Sequence, residues 1–441
     1  MRKFWVVLLT MGLIMAFAVP ASAVDVKFSG QYYVVGYHGE NWSASDKDDS
    51  VPTRNLYATR TRIQTVFQIA EGLSLTTRFD ALEKRWGERN WTGGTYDVTS
   101  RPSTGNASAA EQESIEFERA YVTFKTAIGQ FDVGYQEIDV FGTVFGNWYG
   151  QGARIKYTGV FGPMTFIALV EKNDEGAIRR NTEVDSDKDS YAIAPIYRWT
   201  GGSAGLLIKY VRDATNSSLG VTNTVWLLVP YFQAKVGPVF VEGEAAYSYG
   251  ESDRDVGQDV DIRGWAGYLK AQVDLAPVYF GVMGAYVGGD KATTSSKSEA
   301  SAMGGGIGWE PTLILWNYTT ATWMQTPGTG GYTATGAGSY YGVQMTNAWL
   351  GQVFVGIKPI PKLDIYLSYN YALVDQKPAG YKDDFLGHEV DLTATYKIYD
   401  NLSYMVGFGY LFVGDYFKGL EVQNNKIDDT YLVMHKLTLT F

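Results

Sequence analysis

The spacing of apolar residues constrains this chain more than any other feature. In nearly every apolar segment, apolar and polar side chains alternate one for one, which is the repeat of a β-strand with one face turned away from water. Tyr57 to Gln68, YATRTRIQTVFQ, shows it. Tyr57, Thr59, Thr61, Ile63, Thr65 and Phe67 fall on one face, and Ala58, Arg60, Arg62, Gln64, Val66 and Gln68 on the other. No helical period appears after the N-terminal region, so the chain is all-β. The choice lies between a soluble sandwich or propeller and a transmembrane antiparallel β-barrel.

The links between alternating segments are short and long in turn. Short ones are Glu71-Gly72, Ala127 to Gly129, Gly159 to Pro163, Thr200 to Gly205, Gly237-Pro238, Asp274 to Pro277, Pro359 to Pro361 and Asp400-Asn401; the long ones are polar or Gly-rich. Tight turns at one end and long loops at the other are the plan of an up-and-down barrel in an outer membrane, with periplasmic turns and extracellular loops. Eight short and nine long links predict about eighteen strands, with about sixteen as the second choice. The run Leu313 to Met324, LILWNYTTATWM, reads either as loop or as one more hairpin, and the whole segment from Asp290 to Tyr341 as loop, plug or hairpin. No repeat or linker divides the chain, so residues 24–441 are expected to form one barrel domain.

The N-terminus bears on location. Arg2 and Lys3 precede an apolar run, Phe4 to Val19, too short to span a bilayer comfortably. Ala21-Ser22-Ala23 then supplies a small-x-small cleavage site, so residues 1–23 read as a signal peptide removed after Ala23. Its loss makes the net charge of −10 more negative by two. Such an acidic chain is a poor partner for nucleic acid. With no Cys and three His (His38, His388 and His435), neither disulfides, thiolate chemistry nor a His-rich metal site is expected. Nothing in the sequence calls for a cofactor.

The last residues, TYLVMHKLTLTF, put Tyr431, Val433, Leu437 and Leu439 on the face of the terminal Phe441, with His435 interrupting it. A subunit contact or a bulge at His435 would each account for the break. A terminal Phe with alternate apolar residues resembles the signature of outer-membrane barrels, and implies recognition of Phe441 by the barrel-assembly machinery. Lipid-facing strands also need aromatic girdles, which 32 Tyr supply.

If the apolar faces meet lipid, the face bearing Arg60, Arg62, Gln64 and Gln68 must look into the barrel, and a lumen that accepts it must hold water. The next strand, LSLTTRFDALEKRW, points Arg78 and Asp80 inward, and the pairing parity places Arg62 close to Asp80. Arg60, Arg62 and Arg78 then form a basic patch; the alternative is ordinary, neutralised wall charge.

From Thr59 to Lys172 the chain resembles the general porins of Gram-negative outer membranes, in TRTRIQTVFQIAEGLSL, FERAYVTFKTAIGQFDVGYQ and ARIKYTGVFGPMTFIALVEK. In that family, arginines on early strands face an acidic loop folded into the pore, and the barrels are trimers. The resemblance implies ladder roles for Arg62, Arg119, Arg154 and Lys156. It also implies a constriction loop at EIDVFGTVFGNWYGQ, with Glu137 and Asp139 as its acids, although this loop is shorter than usual and lacks the family's PEF stretch. By parity Glu242, Glu244, Glu389 and Asp391 also point inward. Together with the basic early strands they would set a transverse field across the aperture; scattered wall charge is the other reading.

Two clusters remain. Asp185, Asp187 and Asp189 alternate as at the start of a calcium loop, but Ser190 and Ile196 stand where its Gly and Glu belong. The other use of this segment, with Asp46 to Asp49, is a solvated acidic loop sharing divalent cations with lipopolysaccharide. The large loop carries Trp309, Trp316, Trp323, Tyr332 and Tyr340, which would either stack on sugar rings or pack among themselves. The expected function is passive diffusion of small hydrophilic solutes and ions through a charged constriction. A channel selective for saccharides or acidic oligomers is the alternative. A barrel enzyme would need a catalytic His, and none of the three has an inward nucleophile beside it.

Overall fold

The computed structural model describes residues 24–42, 53–87, 115–176, 185–291, 296–324, 344–420 and 426–441. The expected signal peptide, Asp46 to Asp49, Tyr332 and Tyr340 lie outside the described residues. The first nine strands are β1 (Asp25–Glu40), β2 (Arg54–Ala70), β3 (Leu73–Arg85), β4 (Ile115–Thr126), β5 (Gly129–Ile138), β6 (Gly150–Phe161), β7 (Met164–Asp174), β8 (Lys188–Trp199) and β9 (Gly202–Asp213). Then come β10 (Val221–Val236), β11 (Val239–Arg254), β12 (Val260–Leu275), β13 (Val278–Val287), β15 (Ala348–Ile360), β16 (Leu363–Val374), β17 (Phe385–Tyr399), β18 (Leu402–Val413) and β19 (Thr430–Thr440). A two-residue strand, β14 (Lys297–Ser298), lies parallel against β12 and takes no part in the wall.

Every wall strand is antiparallel to the next, β13 pairs with β15, and β19 returns to β1 from Gln31↔Thr440 to Glu40↔Tyr431. The result is a closed antiparallel barrel of eighteen strands. Closure leaves no strand edge unpaired, which a hydrocarbon phase demands. Each expected short link is a hairpin turn, and Gly72 (φ 75°) and Gly237 (φ 59°) supply the left-handed backbone that two of them need. Leu313 to Met324 is no hairpin. It runs as irregular backbone into a short helix, α1 (Tyr318–Met324), inside the barrel.

The alternation sorts as membrane exposure requires. On β16 Leu367, Tyr369 and Tyr371 are exposed outside while Ser368 and Asn370 are buried inside, and on β18 Val406, Phe408 and Phe412 are exposed where Leu411 is covered. Phe441 exchanges both backbone hydrogen bonds with Gly30, at 2.8 and 3.1 Å. No register shift accompanies His435, so the expectation of a bulge is corrected. Its ring lies over the bare Cα of Gly36, packs edge-on against Tyr57 and hydrogen-bonds the Tyr404 hydroxyl. The buried core sits within the cylinder, between the wall and the segments folded into it: Trp316, Ile314, Leu315 and Met324 meet Leu386, Leu411 and Leu432.

Candidate functional site

Two loops from the long-loop end fold back into the lumen. The first, residues 139–149 between β5 and β6, lies where the sequence places a constriction loop. Its neck is closed by the Trp148 N–H donating to the Asp139 carbonyl (2.9 Å) and the Phe141 N–H to Asn147 Oδ1 (2.9 Å). Its tip crosses to β11 and β12, where the Thr143 N–H donates to Glu244 Oε2 at 2.6 Å and Phe145 stacks on Tyr268. Gly142 makes this approach possible. It has φ 73°, and a Cβ there would stand 2.4 Å from Glu244 Oε2.

The second loop leaves β13 and fills the side of the barrel lined by β15 to β19 and β1. Glu389, on β17, accepts the backbone N–H groups of Leu313 (2.9 Å), Ile314 (2.6 Å) and Leu315 (2.8 Å). Three consecutive donors on one carboxylate latch the loop against the wall, and Gln352 adds a bond to the Pro311 carbonyl (2.8 Å). Farther along, Arg85 donates to the Trp323 carbonyl (2.7 Å), Arg54 to that of Met324, and the Trp323 indole to the Tyr33 hydroxyl (3.2 Å). The two loops also hold each other. The Gly306 N–H donates to the Phe145 carbonyl (2.7 Å), the Gly308 N–H to that of Asn147 (3.2 Å), and Trp309 meets Phe145 edge-on. Together they partition the lumen.

Between this partition and the wall from β6 to β12 lies a cavity of about 1110 Å³. Its mouth, at the long-loop end, carries Asp174, Lys188, Asp213 and Arg254; partway down stand Arg154, Glu171, Lys209 and Asp139, with Ile167, Ala194, Leu207 and Val229 deeper. Lys209 Nζ stands 2.8 Å from Asp139 and 2.9 Å from Glu171, and Arg154 lies 3.5 Å from the other Glu171 oxygen.

Toward β2 to β5 the inner wall is a charge network. Arg62 grips Asp80 with two parallel bonds, 2.7 and 2.6 Å, and reaches Glu118 at 3.2 Å. Arg78 pairs with Glu118, Arg119 with Glu137, and Arg60 with Asp80 and Glu83 at 3.8 and 3.4 Å. Lys156 lies 3.4 Å from Asp132. The arginines lie side by side, each with a carboxylate, so the arrangement is the neutralised wall rather than a free basic patch.

No protein-family model and no curated protein matches the chain. Among solved structures it is similar to Pseudomonas aeruginosa OccK8 (OprE), at 11% identity and a TM-score of 0.52, over 95% of this chain and 98% of that one. It is also similar to a BenF-like porin from Pseudomonas fluorescens Pf-5, at 11% identity and 0.51 over 95% and 99%. A third is Pseudomonas aeruginosa OccD3 (OpdP), at 10% and 0.51 over 95% and 92%. The fold is that of the outer-membrane porins.

Within this barrel several expected wall residues have other work. Glu389 and Asp391 do point inward but are buried under the second loop, with Asp391 taken by Ser368 (3.3 Å) and Asn370 (3.0 Å). Glu244 anchors the first loop, and Glu242 accepts from Tyr268 (2.8 Å) and Gln233 (3.0 Å). These later-strand acids are therefore latches and struts, not one side of a field across open water. Trp309, Trp316 and Trp323 are packed inside the second loop and offer no face to a sugar. Asp185, Asp187 and Asp189 do not converge on a metal position. Arg212 takes Asp185 at 2.7 Å, and Lys172 takes Asp187 and Asp189 at 2.6 and 3.2 Å.

Parity missed Glu118, Glu83, Glu171 and Lys209. Glu118 is the extra residue of a bulge where Arg78 opposes Arg119 and Phe79 opposes Phe117, which turns Glu118 and Arg119 to the same side. A second irregularity, at Leu82 (φ 53°), brings Glu83 toward Arg60. Glu171 and Lys209 obey simple alternation and could have been found by extending it through β7 and β9.

Proposed function

We propose that this barrel is a channel of a bacterial outer membrane, passing small solutes through the part of the lumen left open between the first loop and the strands from β6 to β12. The cavity that Lys209, Glu171, Arg154 and Asp139 line carries this reading, since a wall built to be solid would fill such a volume with side chains. The passage is taken to be limited where Asp139, Arg154, Glu171 and Lys209 line it, with the Arg119–Glu137 pair on the neighbouring wall. Its charges are compensated in pairs, so the passage discriminates by size and shape more than by the sign of charge. Export with cleavage after Ala23, insertion through the Phe441 signature, trimeric assembly and contact with lipopolysaccharide belong to the same reading. A solute-selective channel fits better than a general diffusion pore, because two loops bonded to each other occupy much of the cross-section; the buried tryptophans remove the stacking surface that favoured saccharides.

Planar-bilayer recording of the purified protein tests this. Stepwise, ohmic conductance with weak cation–anion discrimination is expected. A barrel that inserts and gives no conductance steps would overturn the channel reading.

A further inference from the structure

The inner wall has two unlike halves. Strands β2 to β6 present arginines and carboxylates, whereas β7 to β10 present Leu169, Leu207, Val211, Val225, Leu227 and Val229 to the cavity. The register makes these a continuous surface. Val211 is opposite Val225, Leu207 opposite Val229, and Leu227 opposite Lys209, which in turn faces Ala192 and, one strand farther, Leu169. A water-filled passage has no need of such a surface, because apolar wall in contact with water is unfavourable unless something apolar covers it. In the middle of it stands Lys209, held between Asp139 and Glu171, with Arg154 beside Glu171. This cluster offers both signs of charge within one small area and sums to no net charge. The mouth is balanced too, with Lys188 2.9 Å from Asp213.

We infer that the solutes this channel passes best are small zwitterions with an apolar body. The body slides along the β7 to β10 wall, where it displaces poorly bonded water. Within that wall, the cationic end exchanges onto Asp139 and Glu171 while the anionic end exchanges onto Lys209 and Arg154. A polar zwitterion of the same size gains the charged cluster but not the wall, and a net anion unbalances the cluster. The inference rests on the channel reading and names its solute class.

Swelling of proteoliposomes in leucine, asparagine and glutamate separates the cases, since leucine and asparagine differ little in size and carry the same ends. Leucine is expected to enter several-fold faster than asparagine, and glutamate more slowly than leucine. In Leu207→Ser/Leu227→Ser the leucine advantage should fall toward unity while asparagine entry persists, which also reports an intact barrel; Leu227→Ser alone is read the same way if the double variant does not insert. A leucine rate no greater than that of asparagine, a glutamate rate above that of leucine, or an advantage untouched by the serines would overturn the inference and leave the channel standing. No swelling in any solute would overturn both.

Discussion

Arg62 gives both edges of its guanidinium away, one fork to Asp80 and the remaining reach to Glu118, and its neighbours are paired in the same manner. Replacing Arg62 and Arg119 by Ala leaves Asp80, Glu118 and Glu137 with fewer counter-charges inside a narrow, low-dielectric space where screening is weak. Reversal potentials in a salt gradient should shift toward cation selectivity. Glu137→Gln with Asp139→Asn takes one counter-charge from each of Arg119 and Lys209 and should shift them toward anions. Insertion should survive both changes because the side chains face inward; an Arg turned to lipid at the bilayer midplane would instead cost about 2–4 kcal/mol. Unchanged potentials in both variants would show that the limiting section lies elsewhere. The Arg62–Asp80 pair was legible in the sequence because inward residues must face inward residues across the hairpin, a parity that the shift between Gln68 and Ala70 beside the turn satisfies. Glu118 was not, because a bulge changes the parity of everything beyond it and leaves no mark in the alternation.

At the scale of elements, the strands announced themselves and the loops did not. A strand against lipid must obey alternation along its whole length, so turn residues and apolar period located all eighteen. The inward loops are held by tertiary contacts that no local pattern encodes. LILWNYTTATWM is apolar enough to be strand, and the three N–H groups gathered by Glu389, with the bonds from Arg54 and Arg85 farther along, explain why it lies across the inside of the barrel. That latch can be tested directly. A hydrogen bond to a charged acceptor contributes about 1.5–3 kcal/mol. Glu389→Gln puts an amide with one acceptor oxygen against three donors, so the second loop should detach before the wall does. Single-channel conductance should rise, and the thermal transition should fall by several degrees with β-sheet circular dichroism intact. Wild-type conductance in this variant would mean that the loop is held mainly by its apolar packing.

For the molecule as a whole, closure sets what is rigid and what can move. The wall is one continuous sheet without an edge, so the movable parts are the segments inside it. These are not independent: the tip of the first loop is tied to the wall through Glu244, the second through Glu389, and each to the other through Gly306 and Gly308. Two doors hung from opposite jambs and leaning on one another do not open separately. Departure of either removes the other's support, so current traces should pass between a closed-in level and one wide level in a single concerted step. Two independent sub-levels, with four combinations in the amplitude histogram, would contradict this. Disturbing Glu244 and disturbing Glu389 should then populate the same wide level, though the two residues approach the partition from different sides of the barrel.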